Sequence, residues 1–252
     1  MHIVKPFSYT VVPINTDLEL LKIYYGYRRC YSDKVEDFIE FKLDKDLRLS
    51  EEDRKKVEEF IRKMRKTPHE SPLEHVSITF VLENVSRALT HQLVRHRLAS
   101  YSQQSQRYVQ MDDLPIVMPE FDYINDEETK KTVQEIVAQT ATYCENAYAD
   151  LVAFDVKPED ARSVLPNCTA TQIVVTMNLR ALLHFFEERM CWRAQSEIRT
   201  EAQYMWDECY ALFPCVFEGT GPKCMRQKRC PEHYPCGKKP YVRVEARADS
   251  SN

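Results

Sequence analysis

HVSITFVLENVSRALTHQLVRHRLASYSQQSQRYV, residues 75–109, contains the change of period that decides the fold class. In residues 75–83, Val76, Ile78 and Phe80 alternate with Ser77 and Thr79, which predicts a half-buried strand. From Ser86 to Arg95 the apolar spacing becomes helical, and from Ala99 to Val109 the chain is polar and serine-rich, a strand or an extended loop. A strand, a helix and a second extended piece therefore follow one another within one short stretch.

Helices dominate on either side. Ser50 to Lys66 is amphipathic, with Val57, Phe60, Ile61 and Met64 on one face and Ser50 and Asp53 spaced as a capping box. Its charged run EEDRKKVEEFIRKMRK reads as a solvated face with ion pairs. Ser8 to Ile14 predicts a short strand and Asp17 to Tyr25 a helix. Thr129 to Phe154 predicts a long helix with Val133, Ile136, Val137, Thr140 and Tyr143 on one side, and Pro158 can open a short one. Ala170 to Glu188 and Arg193 to Leu212 look like two more helices. The sum is α+β, an antiparallel sheet packed with several long helices in a single compact domain. Beyond Phe213, Pro214, Pro222, Pro231, Pro235 and Pro240 arrive with Gly219, Gly221 and Gly237, and the chain ends in the disordered-looking EARADSSN. Residues 1–214 are expected to form the main domain and 215–252 a Cys- and Pro-rich tail.

The 252 residues carry a net charge of −4, so no global basic field draws in nucleic acid. No apolar run is long enough for a membrane span. The start MHIVKPFSYTVVPIN lacks a signal-peptide layout, and nine cysteines then read as reduced thiols of a cytoplasmic protein. Only four glycines occur, none between Gly26 and Gly219, where about 7% usage would place roughly thirteen. This excludes both G-x-G-x-x-G and Walker-type phosphate loops there, so any nucleotide must be gripped by side chains.

Between Glu83 and Asp112 lie 28 residues without an acid. Arg87, Arg95, Arg97 and Arg107 stand there with His91 and His96, interleaved with Ser100, Ser102, Ser105 and Gln92, Gln103, Gln104 and Gln106. Arginine forks match phosphate and carboxylate oxygens, and the neutral donors suit a heterocycle edge. On composition alone a surface strand with scattered arginines is as good a reading. RNA binding is a third, although Tyr101 and Tyr108 make a poor stacking platform.

Arg95-His96-Arg97, seven residues, then Ser105 gives R-H-R-x7-S, and RHRLASYSQQSQRY resembles the signature of flavin-dependent thymidylate synthases. HESPLEH (69–75), ARSVLP (161–166), NLRALLHFFEER (178–189) and RAQSEIR (193–199) are similar to other motifs of that family, in order and spacing, over residues 15–215. The resemblance implies reductive methylation of dUMP to dTMP, with 5,10-methylenetetrahydrofolate as carbon donor, FAD as hydride carrier and NADPH as reductant. It also implies an α+β homotetramer with active sites at subunit junctions, and no nucleic-acid or membrane partner. Carried over by motif, the FAD positions are His69, Ser71, Arg95, His96, Arg97, Gln103, Asn178, Arg180 and His184. The dUMP positions are Gln92, Leu93, Val94, Arg95, Gln103, Gln104, Ser105, Gln106, Arg107, Arg162 and Arg189, the last resembling the arginine that activates the uracil ring.

Three departures touch local contacts: Gln103 stands where some members carry glutamate, His184 where others have asparagine, and Ser196 where tryptophan is frequent. Residue type alone also allows Ser105 as a nucleophile, which lacks an identified base, and His184 as a satisfied core histidine. A non-catalytic nucleotide- or RNA-binding protein using the arginine window is the competing function. In the tail, Cys215, Cys224, Cys230 and Cys236 are spaced C-x8-C-x5-C-x5-C around His233, without the tight pairs usual for zinc. Free thiols, with no metal, are the expectation there.

Overall fold

The computed structural model describes residues 1–5, 8–32, 41–111 and 113–238. The terminal EARADSSN lies outside them. The chain forms two compact units, each assembled from three stretches of sequence. Met1–Pro13, Ser77–Met177 and Ser196–Glu201 make the first; Ile14–Val76, Asn178–Gln195 and Ala202–Asn252 make the second. Among the described residues no helix is long and apolar enough to cross a membrane.

In the first unit, β2 (Ser8–Val11), β3 (Ser77–Ser86), β6 (Ala170–Asn178) and β4 (Ala99–Gln103) form a four-stranded sheet in that spatial order. β2 pairs antiparallel with β3, Ser8 opposite Glu83, and β4 antiparallel with β6, Gln103 opposite Ile173. In β3, Ile78, Phe80 and Leu82 are fully buried while their neighbours are not, as the period-two pattern requires. β6 corrects the expectation of one helix from Ala170 to Glu188. Thr171, Ile173, Val175 and Met177 are buried in alternation with Gln172, Val174 and Thr176. The β-branched content favours the pleated surface, and the helical period begins only at Leu179.

A two-stranded parallel ribbon joins β1 (His2–Ile3) to β5 (Pro115–Ile116). The long helix α4 (Glu127–Ala153) is capped by Asp126, which accepts from the Thr129 amide at 2.7 Å. It buries Ala141 and Tyr148 in a cluster with Leu114, Ile116 and Ala161 from neighbouring segments, including the short α5 (Pro158–Ala161). The face expected to carry the apolar side chains is instead open, with Ile136 57% and Tyr143 76% exposed.

The second unit is helical. Asn15 caps α1 (Thr16–Tyr31) through the Asp17 and Leu18 amides. Ser50 caps α2 (Glu51–Met64), accepting from Asp53 N at 3.1 Å while its hydroxyl bonds the Asp53 carboxylate at 2.8 Å. Gly26 lies where a Cβ would stand 3.0 Å from Cβ of Pro72, so α1 approaches the 3₁₀ turn Ser71–His75 closely. α6 (Leu179–Arg189), α8 (Pro214–Phe217) and α9 (Lys223–Arg226) complete it.

α7 (Ser196–Leu212) begins in the first unit and continues in the second. Its first turns position the arginine window. Glu197 accepts from Ser86 N at 2.7 Å and from Ser86 Oγ at 2.6 Å, while Ser86 Oγ accepts from Leu89 N and so caps α3 (Arg87–Leu93). One turn later Glu201 is buried, and neither carboxyl oxygen has a hydrogen-bond partner among the described residues. Burial, then the nearby Glu197 charge, push its pKa up to about 8. An acid whose folded pKa is raised binds its proton more tightly in the native state, so its contribution falls as pH rises from the unfolded value near 4.5 through about 8. Glu201→Gln is expected to flatten the decline of Tm over that interval and to raise Tm at its alkaline end. An unchanged Tm-versus-pH curve would show that the carboxyl finds a partner.

Candidate active site

The first unit gathers the arginine window around one end of its sheet. After α3 the chain turns so that Arg95 N donates to Gln92 O and His96 N to Leu93 O. The Tyr101 hydroxyl, on β4, lies 2.8 Å from both the Leu93 and His96 carbonyl oxygens and clasps this loop. Burial pushes the Tyr101 pKa up to about 12, so the phenol remains a donor at any working pH. Leu93 is buried, whereas Val94, Arg95 and Arg97 are exposed beside half-buried His96. A rigid loop thus presents two guanidinium groups outward.

Gln103 bridges three elements: its Nε2 donates to Thr90 Oγ1 at 3.1 Å on α3 and lies 3.4 Å from Thr171 Oγ1 on β6. Its amide nitrogen is spent on the framework, and Gln103 holds α3 against the sheet. Gln104 N continues the ladder to Gln172 O at 2.9 Å. Ser105 Oγ accepts from the Arg107 amide at 3.2 Å, organising the turn that carries Gln106 and Arg107. Gln92 is half-buried, its Nε2 donating to Ala88 O at 3.3 Å.

A cleft of about 430 Å³ in the same unit is lined by Gln106 and Arg162, and also by Arg87, His91 and Glu159. Arg162 Nε donates to Glu159 O at 3.1 Å, and Arg107 Nε pairs with Glu159 Oε2 at 2.8 Å. That hydrogen bond and the Arg107 charge lower the Glu159 pKa. Arg87 is held at its backbone by Thr169 O, 3.0 Å away. Burial first, then the charge of Arg162, lower the Arg87 pKa, so two guanidinium groups face each other across a partly desolvated cleft. An oxyanion between them would relieve both the repulsion and the desolvation. Arg87 and His91 belong to the acid-free window, but the family motifs assign neither of them a role.

The second unit brings the remaining residues together. His69 has both ring nitrogens engaged, Nε2 with Ser71 Oγ at 2.9 Å and Nδ1 with the Tyr31 hydroxyl at 3.1 Å. Tyr27 and Tyr31 meet its ring edge-on at 5.8 and 5.7 Å, fixing its plane. Asn178 is the N-cap of α6, its Oδ1 accepting from Ala181 N at 2.8 Å, rather than an interior residue of a longer helix. Arg180 pairs with Glu74 of the 3₁₀ turn, an exposed pair that can exchange for another anion at little cost. His184 is exposed, which removes the core-histidine reading, while Leu182, Leu183, Phe185 and Phe186 carry the buried face of α6. Arg189 ends the helix half-buried. Burial of Glu188 is outweighed by the Lys223 hydrogen bond and by the Lys223, His184 and Arg189 charges, which lower its pKa. Arg180 and His184 thus form one stripe of the helix and Arg189 another, at its end.

Comparison with known proteins covers almost all of this chain. The sequence profile of the thymidylate synthase complementing protein family matches residues 16–215. A flavin-dependent thymidylate synthase from Nitratidesulfovibrio vulgaris is 42% identical over 238 residues, 90% of this chain and 93% of its own. Those from Clostridium tetani and Geobacter sulfurreducens are 45% and 47% identical, over 75% and 72% of this chain and 80% and 77% of theirs. A UMP/dUMP methylase from Streptomyces cacaoi, solved with 5-Br dUMP bound, shares the fold with a TM-score of 0.70 at 21% identity, over 86% of this chain and 96% of its own. The extent of these matches, with the ordered motifs folded as described, places the chain in the flavin-dependent thymidylate synthase family.

Proposed function

We propose that this chain methylates dUMP reductively to dTMP, with 5,10-methylenetetrahydrofolate as carbon donor, FAD as hydride carrier and NADPH as reductant. The observation that carries the reading is the cleft in which Arg87 and Arg162 converge beside Gln106 with a single acid, itself engaged by Arg107. Such a cleft fits a phosphate monoester. Arg107 and Arg162 supply forked charge-assisted donors, with the Ser105 hydroxyl as a neutral one, and Arg87 joins them.

The donor set also fits a flavin dinucleotide. Arg95 and Arg97 are exposed cations on a loop clasped by Tyr101, and in the second unit Arg180 adds a donor, with Ser71 and the edge-packed His69 as further polar groups. These side chains, with His96, Asn178, His184 and Gln103, would hold the pyrophosphate and ring system without a glycine loop. FAD, when bound, supplies hydride-transfer chemistry that no side chain of this protein can provide. The chain's own task is to hold dUMP with Gln92, Leu93, Val94 and Gln103 through Arg107, to exclude water, and to direct Arg189 at the uracil edge. There its fixed charge stabilises the negative charge that develops as the ring becomes nucleophilic. No cysteine stands in the arginine window, and this chemistry needs no thiol nucleophile.

The protein acts as a cytoplasmic homotetramer with active sites at subunit junctions. The open apolar face of α4, with Ile136 and Tyr143, supports an assembly that covers it. Residues 1–214 form the catalytic body and 215–252 an addition to it. The purified protein is expected to be yellow, bleached by NADPH, and reoxidised when dUMP and methylenetetrahydrofolate are added together. A colourless chain that cannot be reconstituted with FAD overturns this function.

A further inference from the structure

The reaction leaves the C-terminal tail without a task, and its packing does not account for its order. From Lys223 to Lys238 no residue is buried. What holds this stretch at the surface is a set of ion pairs, Lys223 with Glu188, Arg226 with Glu187 at 2.8 Å and Arg193 with Glu232 at 3.8 Å, together with a bond from Arg193 Nη1 to Tyr234 O at 2.7 Å. Lys238 adds a cation 3.9 Å above the Trp192 ring. Exposed pairs of this kind contribute about 0–1 kcal/mol each, whereas ordering a backbone costs about 1–2 kcal/mol per residue. A small segment without a core needs a staple.

Four thiols surround one cleft of about 200 Å³ in the second unit: Cys191, from the turn after α6, with Cys224, Cys230 and Cys236 of the tail. All four are free. The set differs from Cys215, Cys224, Cys230 and Cys236, which stand around His233 in the sequence and for which free thiols are the expectation. Cys215 is buried, lines a different cleft, and has its pKa pushed up to about 12 by burial, with Glu58 the next influence. Cys191, 33 positions before Cys224 in sequence, takes its place.

We propose that Cys191, Cys224, Cys230 and Cys236 bind one zinc ion as a closed structural tetrathiolate site. Four soft thiolate donors suit the tetrahedral preference of zinc, and with all four bound no coordination position stays open. Each thiol gives its proton to solvent as its sulfur bonds the metal; four protons leave per ion and nothing is oxidised or reduced. The resulting double negative charge meets a lining of mixed sign, Arg189, Arg193, Lys223 and Lys238 against Glu187, Glu188 and Glu232. Among the described residues no three ligand side chains are already gathered for a metal. Closing the site therefore requires turns of side chains on a segment that buries nothing, and Gly237, at φ +68°, gives the loop after Cys236 the left-handed turn that other residues resist.

The full-length protein, purified under reducing conditions without added metal or chelator, is expected to contain one zinc per chain by elemental analysis. Cobalt titrated into the metal-stripped wild-type chain is expected to give intense thiolate-to-cobalt charge transfer with tetrahedral d–d bands, a readout independent of any variant's folding. Cys230→Ser is expected to lose most of the zinc and alter the cobalt spectrum, whereas Cys30→Ser, at an exposed thiol of α1, leaves both unchanged. A zinc-free protein whose cobalt complex lacks thiolate bands overturns the proposal, and so does an intact mass showing these cysteines joined as disulfides without metal.

Discussion

Arg189→Ala is expected to lower the rate of dTMP formation by about 10²–10³-fold, the usual cost of removing one aimed donor from a site of developing charge. Arg189 stands at the last position of α6, beyond the buried Leu182, Phe185 and Phe186 that fix the helix. Removing its side chain leaves that packing intact, so flavin absorbance and Tm should change little. The loss should fall on kcat more than on KM, because the interaction strengthens as charge develops. Arg189→Lys keeps the charge but not the planar fork, and should recover only part of the rate. Normal dTMP formation by Arg189→Ala would show that ring activation lies elsewhere.

The second large effect concerns the arginine cleft. Arg87→Gln and Arg162→Gln are each expected to raise KM for dUMP roughly tenfold to a hundredfold, the equivalent of one charge-assisted hydrogen bond. The turnover rate at saturating dUMP should hardly change, since a phosphate remote from the reacting carbon binds alike throughout the reaction. Because the two groups repel each other across the cleft, their losses should not simply multiply, and a double-mutant cycle measures that coupling. An unchanged KM in Arg87→Gln would confine phosphate binding to the residues recognised from the family motifs.

Much of this molecule is legible in its sequence because local signals and tertiary structure agree. Ser50 and Asp53 announce the start of α2, and the alternation of Val76, Ile78 and Phe80 announces β3. β6 is less legible, for a physical reason. Ile173, Val174, Val175 and Met177 stand almost contiguously, and such a run satisfies both periods. Threonine and valine content was the signal that decided it. The open face of α4 shows the opposite limit, since periodicity finds an apolar face but not what covers it. At the site, the acid-free window and its motifs were visible, but the pairing of Arg87 with Arg162 joins residues 75 positions apart and exists only after folding. Cys191 was hidden likewise, its neighbours in the cleft lying far along the chain.

The interleaving of the two units bears on biosynthesis. The first unit is incomplete until Glu201 has been made, and the second draws on the chain beyond it. Its sheet starts with Ser8 facing Glu83 and closes with Gln103 facing Ile173. A nascent chain emerging from the ribosome therefore holds β2 unpaired while most of an intervening helical region appears, and it cannot complete either unit early. Loop closure of this kind slows folding and prolongs exposure of unpaired strands. Chaperones thus meet a polypeptide whose two units mature together, once the chain beyond Glu201 has been made.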